Sequence, residues 1–224
     1  MNENRITIIC GHYGSGKTNL SLNLCMNKAA EGKKVTLVDM DIVNPYFRSS
    51  EYGTLLSKNG VRLIAPVYAG TTLDTPTIPP EVYSIFTPQG REVIIDAGGD
   101  DAGVTALAGM STQLSETKYE MIYVINRSRV LSRTPEEAAG FLREIERTSR
   151  LHATAVVNNS HLGVETTLET ALSSLEFAKK TARLCGLPLL YSTVPDFAVP
   201  QGSALPEGFR KMKRLVLFPW EREE

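Results

Sequence analysis

Eight consecutive residues, Gly11-His12-Tyr13-Gly14-Ser15-Gly16-Lys17-Thr18, have the types and spacing needed to hold a polyphosphate. They match G-x-x-x-x-G-K-[ST] at every fixed position. Backbone N–H groups must converge on phosphate oxygens, so glycine stands where a Cβ would intrude or φ is positive. Lys17 offers a fixed charge to the β and γ phosphates, and Thr18 offers a hydroxyl to magnesium. Asn19 completes the expected nucleotide-binding run, at the start of a helix whose dipole favours an anion. The segment therefore reads as a P-loop for a nucleoside triphosphate with Mg2+.

Acidic residues with matching chemistry follow. Asp39 and Asp41 lie at the end of an apolar run, in VTLVDMDIVNPYF. Period-two spacing sends both carboxylates the same way if the strand continues through them. Two like charges side by side need a cation or a charged ligand between them. EVIIDAGGD supplies a second apolar strand ending in a carboxylate, Asp96, and reads D-x-x-G from Asp96 to Gly99. Asp96 is a candidate for holding magnesium through a water. The Gly99 N–H is a candidate for meeting the γ-phosphate, which would let the following loop respond to hydrolysis. Asp101 reads as the start of the next helix, and Asp100 has no assigned task.

Base recognition falls to later strand ends. Asn158-Asn159-Ser160-His161 stands where N-K-x-D would read guanine, but there is no lysine at 159 and no carboxylate at 161. Guanine N1 and N2 donors then lack an acceptor. The amide of Asn158 or Asn159 can pair with adenine, so ATP is the expected nucleotide. Arg127, Arg129 and Arg133 cluster after another apolar run and read as a solvated basic loop, with a face towards a partner or phosphates as the alternative.

The elements that must position these residues alternate along the chain. Strands are predicted at 6–10, 34–38, 61–65, 92–95, 121–125, 154–157 and 187–193, mostly as continuous apolar runs suited to a parallel sheet covered on both faces. Helices are predicted at 17–30, at 135–147 behind a Thr134/Glu137 capping box with Pro135 first, and at 166–184 before Gly186 and Pro188. Such alternation implies βαβ units within a single α/β domain spanning residues 1–224. Residues 68–90, rich in Thr and Pro, read as a long functional loop with one short helix at 80–86.

Composition narrows the partners. A net charge of −1 gives no general drive towards nucleic acid or anionic lipid. Cys10, Cys25 and Cys185 form no CxxC pair and no zinc spacing. The first apolar run is too short for a signal peptide or a membrane span, so the expected location is cytoplasmic. GFRKMKRLVLFPW near the C-terminus reads as core packing or a dimer contact; its consecutive apolar residues stopped by Pro219 do not suit an interfacial membrane helix.

Together the P-loop, the D-x-D after the second strand and the D-x-x-G strand end resemble the MinD/ParA/CobQ-type ATPases of the SIMIBI class. The resemblance implies a P-loop fold with a mostly parallel sheet of seven or eight strands flanked by helices. It implies that Lys17 binds phosphate, Thr18 binds magnesium, Asp39 sits in its outer shell, and Asp41 orients the attacking water. It makes Asp96 and Gly99 part of a switch. It also implies a protein partner and a nucleotide-linked homodimer. One position departs: the family's cross-dimer lysine follows the first P-loop glycine, and here that residue is His12. Imidazole is a poorer partner for transition-state charge than a fixed ammonium. Arg48 is a candidate substitute cation, with a solvated arginine the favoured reading. The fold also serves biosynthetic enzymes that activate a carboxylate with ATP, such as dethiobiotin synthetase and the cobyric-acid enzymes, for which residues 68–90 would build the second pocket. A nucleotide-binding module without turnover is a further alternative.

Overall fold

The computed structural model describes residues 5–41, 48–66, 79–87, 90–99, 101–217 and 221, with the side chains of 101 and 102 excepted. Among them, the strands are β1 (Ile6–Cys10), β2 (Val35–Met40), β3 (Arg62–Ile64), β4 (Glu92–Ala97), β5 (Tyr119–Ile125), β6 (Ala155–Asn158), β7 (Leu189–Pro195) and β8 (Phe209–Met212). They form one eight-stranded sheet in the order β3-β2-β4-β1-β5-β6-β7-β8, parallel at every pairing.

The helices are α1 (Lys17–Ala30), α2 (Gly53–Lys58), α3 (Asp101–Ala108), α4 (Ser111–Glu116), α5 (Pro135–Ser149), α6 (Leu168–Ser173) and α7 (Leu175–Cys185). They cover both faces of the sheet. Ile6, Ile8 and Cys10 of β1 pack with Val104, Leu107, Leu142 and Phe177 on one side. Ile9 packs with Leu20, Leu22, Cys25 and Leu56 on the other. A strand buried on both faces has no solvent side to mark with polar residues, which explains its continuous apolar run.

Thr134 accepts from the Glu137 N–H at 3.2 Å, and Glu137 returns to the Thr134 N–H at 2.9 Å, completing the capping box with Pro135 in the first turn. The expected single helix over 166–184 is instead α6 and α7. At Ser174, between them, the hydroxyl donates to the Ala171 carbonyl at 2.6 Å and accepts from the Asn158 amide at 2.8 Å. The eighth strand, β8, was not among the predicted runs. FRKM sets two adjacent, exposed basic residues between apolar ones and is short, as an edge strand is. Beyond it, Leu215 and Val216 pack against the α1 side of the core, the core-packing alternative for this segment.

The 3₁₀ turn Pro80–Phe86 is present and places Val82 and Ile85 in the core. The rest of the 68–90 loop up to residue 78, the stretch Asn44 to Phe47, and Asp100 lie outside the described residues. No helix among the described residues is long and apolar enough to cross a membrane.

Candidate functional site

The P-loop runs from β1 into α1 at the carboxyl edge of the sheet. Gly16 is the residue before the helix and holds φ at 86°, in the left-handed region. A Cβ there would collide with the Asn159 amide nitrogen. That amide donates 2.7 Å to the Ser15 carbonyl while its oxygen accepts from the Thr193 hydroxyl at 2.5 Å. Asn159 thus ties the end of β6 to the P-loop. Lys17 is buried and donates 3.3 Å to the His12 carbonyl, bridging the loop it follows.

Asp39 and Asp96 are register partners on adjacent strands β2 and β4, each only 1% exposed. Asp39 accepts from the N–H groups of Asp41 at 3.0 Å and Ser50 at 2.8 Å. Asp96 accepts from Ser21 at 3.2 Å and also from the Ser49 hydroxyl. Burial raises the Asp39 carboxyl, partly offset by its hydrogen bonds and by the Arg48 charge nearby. Burial, then the charge of Asp39, pushes Asp96 up to about 6; the Ser49 hydrogen bond, Lys17 and the Thr18 hydrogen bond pull the other way. Two buried carboxylates beside a lysine and a threonine hydroxyl suit a divalent cation, which would relieve both desolvation and repulsion. Arg48 is partly buried and close enough to influence Asp39, so it is not the solvated arginine expected.

Gly99 follows β4 and meets the P-loop directly. A Cβ on it would stand 2.6 Å from Lys17 Nζ and 2.7 Å from the Tyr13 nitrogen, so only glycine fits this approach. The D-x-x-G strand end therefore lies against the phosphate cradle.

A cavity of about 330 Å³ opens beside the loop, lined by Gly14, Gly16, Lys17, Thr18, Asn19 and Asp41 at one end. Asn159, His161, Pro195 and Phe197 form one wall, and Met212, Arg214 and Val216 another. Asn19 holds the second wall in place. Its amide donates 3.0 Å to the Lys213 carbonyl and accepts from Leu215 and Val216 at 2.8 and 3.0 Å. Burial, aided by the charge of Arg129, lowers the His161 ring to about 4, so it is neutral at ordinary pH. Its Nδ1 accepts from the Gly163 N–H at 3.1 Å, which leaves the proton on Nε2.

Two expected contacts have other partners. The Asn158 amide does not line the cavity; it bonds the Ser174 and Ser192 hydroxyls at 2.8 and 3.0 Å. The His12 ring donates from Nδ1 to the Tyr13 carbonyl at 2.8 Å and packs edge-on against Phe141 of α5.

By sequence, solvent is the favoured surrounding of Arg129, and Asn126, Ser21 and Ser49 have no assigned role. Arg129 is no merely solvated residue: its Nε donates 2.7 Å to the Gly14 carbonyl, and it lines the cavity. β5 pairs with β1, so the loop after β5 abuts the P-loop. Asn126 braces the same loop, accepting from Ser128 at 3.0 Å and His161 at 3.2 Å and reaching the Gly14 carbonyl at 3.4 Å. Ser21 and Ser49 left no motif by which to be found; the only signal for Asn126 was a polar residue at the end of an apolar strand.

Residues 6–162 match the model of the CobQ/CobB/MinD/ParA nucleotide-binding domain. No curated protein matches the chain in sequence. Among solved structures, FtsY of Mycoplasma mycoides superposes with a TM-score of 0.59 at 17% identity, over 87% of this chain and 61% of that one. FtsY of Thermotoga maritima gives 0.56 at 17% identity, over 84% and 61%. The signal recognition particle 54 kDa protein of Aeropyrum pernix, in complex with GDP, gives 0.54 at 16% identity, over 84% and 40%. The chain spans about three fifths or less of the length of these structures, and at such identity the likeness is one of fold. The molecule is a P-loop nucleotide-binding domain of the SIMIBI class.

Proposed function

Because the chain belongs to the CobQ/CobB/MinD/ParA nucleotide-binding family, we propose that it binds Mg-ATP and hydrolyses it slowly, as a switch acting on a protein partner. The observation that carries this reading is the gathering of Lys17, Thr18 and Asp41 on one cavity beside the buried Asp39–Asp96 pair. Lys17 and the loop amides from Gly11 to Thr18 bind the phosphates. Thr18, Asp39 and Asp96 are the residues that would hold magnesium. When bound, the ion would neutralise phosphate charge and polarise the γ-phosphoryl group. Asp41 orients the attacking water. His12 contributes through its backbone N–H, since its ring is packed on Phe141. Gly99 stands close enough to Lys17 and Tyr13 for its N–H to report the γ-phosphate to the loop that follows.

ATP is favoured over GTP by the absence of a carboxylate acceptor. Counted from Asn158 the position three residues on is His161; counted from Asn159, the residue that holds the P-loop, it is Leu162. Neither accepts from guanine N1 and N2, and the His161 proton sits on Nε2 as a donor. Pro195 and Phe197 of one wall and Met212 and Val216 of the other supply apolar contact for the purine. A homodimer is the expected assembly state.

Calorimetric titration with ATP and GTP tests the base preference; tighter GTP binding overturns it. Asp41→Asn should keep ATP affinity and lose most turnover. Unchanged hydrolysis in that variant removes Asp41 from the mechanism.

A further inference from the structure

We propose that Arg129 supplies, within the same molecule, the cation that stabilises the transferring phosphate. This rests on the reading of the site as hydrolytic. His12, the residue after the first P-loop glycine, has its ring committed to Tyr13 and Phe141. Arg129 meets the loop two residues further on. Its Nε donates 2.7 Å to the Gly14 carbonyl. A Cβ on Gly14 would stand 2.8 Å from Nε and 2.9 Å from Cζ, so the missing side chain at 14 is what admits the guanidinium.

The placement is braced. Asn126, at the root of the Arg129 loop, is bonded to Gly14, Ser128 and His161. Arg127 is turned elsewhere, donating 2.8 Å to the Ser173 carbonyl. Among the arginines of this loop it is Arg129 that lines the cavity with Lys17, Thr18 and Asp41. Its charge also reaches across that cavity, adding to burial in holding the His161 ring low.

The chemistry gives this position its value. In hydrolysis a water oxygen bonds to the γ-phosphorus, and the bond from that phosphorus to the β–γ bridging oxygen breaks. The electron pair stays on the bridging oxygen, leaving ADP and inorganic phosphate, and the water's proton passes through Asp41 to solvent. Loop amides hold the β-phosphate and Lys17 the γ end, so the bridging oxygen falls between them, in the cavity that Arg129 lines. Negative charge grows there only as the bond breaks, so a guanidinium over Gly14 binds the transition state better than the ground state.

The test compares wild type, R129A and R129K in single-turnover ATP hydrolysis, with separate measurement of ATP and ADP affinity and of thermal unfolding. R129A is expected to slow hydrolysis about 10²-fold to 10³-fold, with ATP and ADP affinities changed less than about fivefold. Free guanidinium at millimolar concentration should restore part of the R129A rate, which a purely structural role would not permit. R129K should recover part of the rate, because it keeps the charge without the fork. Wild-type hydrolysis by R129A overturns the proposal and leaves the functional reading standing. A loss confined to ATP and ADP affinity, with the saturated rate intact, also overturns it. A wild type that binds ATP but never hydrolyses it overturns both.

Discussion

Replacing Asp96 by asparagine should make the nucleotide-free protein more stable while removing its response to magnesium. Asp96 is 1% exposed and faces Asp39 across one strand pairing. Its carboxyl is raised from 3.8 to about 6, chiefly by burial and then by Asp39. The unfolded chain holds the same group near 3.8. Between those values the folded protein keeps a proton that the unfolded chain has released. Stability therefore falls as pH rises from about 4 to about 6 and is then level. The gap corresponds to about 3 kcal/mol at neutral pH and about half of that at pH 5. Asparagine keeps the shape and can still bond Ser21 and Ser49, but it carries no charge to bury. In EDTA at about pH 7.5, Asp96→Asn should unfold at a temperature higher by up to about 6–12 °C for a chain of this size. Its advantage should shrink by about 1.5 kcal/mol on moving to pH 5. Saturating Mg-ATP should then stabilise the wild type far more than the variant. Urea titrations at both pH values, with and without Mg-ATP, read all three effects. A difference that does not vary with pH, or a variant less stable than wild type in EDTA at neutral pH, refutes the buried-charge argument.

Three further outcomes follow from contacts around the site. Gly99→Ala puts a Cβ 2.7 Å from the Tyr13 nitrogen, and backbone cannot yield as the Lys17 ammonium could; ATP turnover should fall by about 10²-fold with the cooperative unfolding transition retained, as single-turnover kinetics and urea titration will show. Asn19→Ala removes the acceptor of the Leu215 and Val216 N–H groups and the donor to Lys213; it should cost about 1–3 kcal/mol and speed hydrogen exchange at those two amides. Thr134→Ala opens the capping box of α5 and should cost about 1 kcal/mol in urea unfolding, without altering ATP affinity.

Much of the architecture was legible because its physics is local. β1 and α1 match their predicted bounds, since an apolar run, a glycine loop and an amphipathic stretch each leave a periodic or compositional trace. The α5 cap was legible for the same reason: its parts lie within four residues. The break at Ser174 was not. It involves the Asn158 amide, which arrives from a different strand, and no pattern within 166–184 announces that partner. β8 was hidden differently, because an edge strand carries its pairing in backbone groups while its side chains read as a basic segment. Arg129 shows the same limit in the site. No periodic pattern in its neighbours, from Arg127 to Leu131, marks it out, and its importance comes from the β1–β5 pairing that brings its loop over Gly14.

The adjacent asparagines show what a motif read without geometry confuses. Both were candidates for the base edge because both follow an apolar strand. Successive residues of an extended chain face opposite ways, so the two could not share one task. Asn158, the last residue of β6, turns towards Ser174 and Ser192 and fastens the start of α7 to β7. Asn159 turns to the P-loop, and both ends of its amide are engaged, by the Ser15 carbonyl and the Thr193 hydroxyl. An amide so occupied holds the loop's shape before any ligand arrives, and what it gives a purine comes second to that. The discrimination between adenine and guanine then rests on what the next residues lack. No carboxylate follows either asparagine at the required distance, and the nearest ring, that of His161, presents a donor. The proposed preference for ATP thus rests on the exclusion of guanine at Ser160–Leu162, while the proposed affinity for any nucleotide rests on the loop that Asn159 braces.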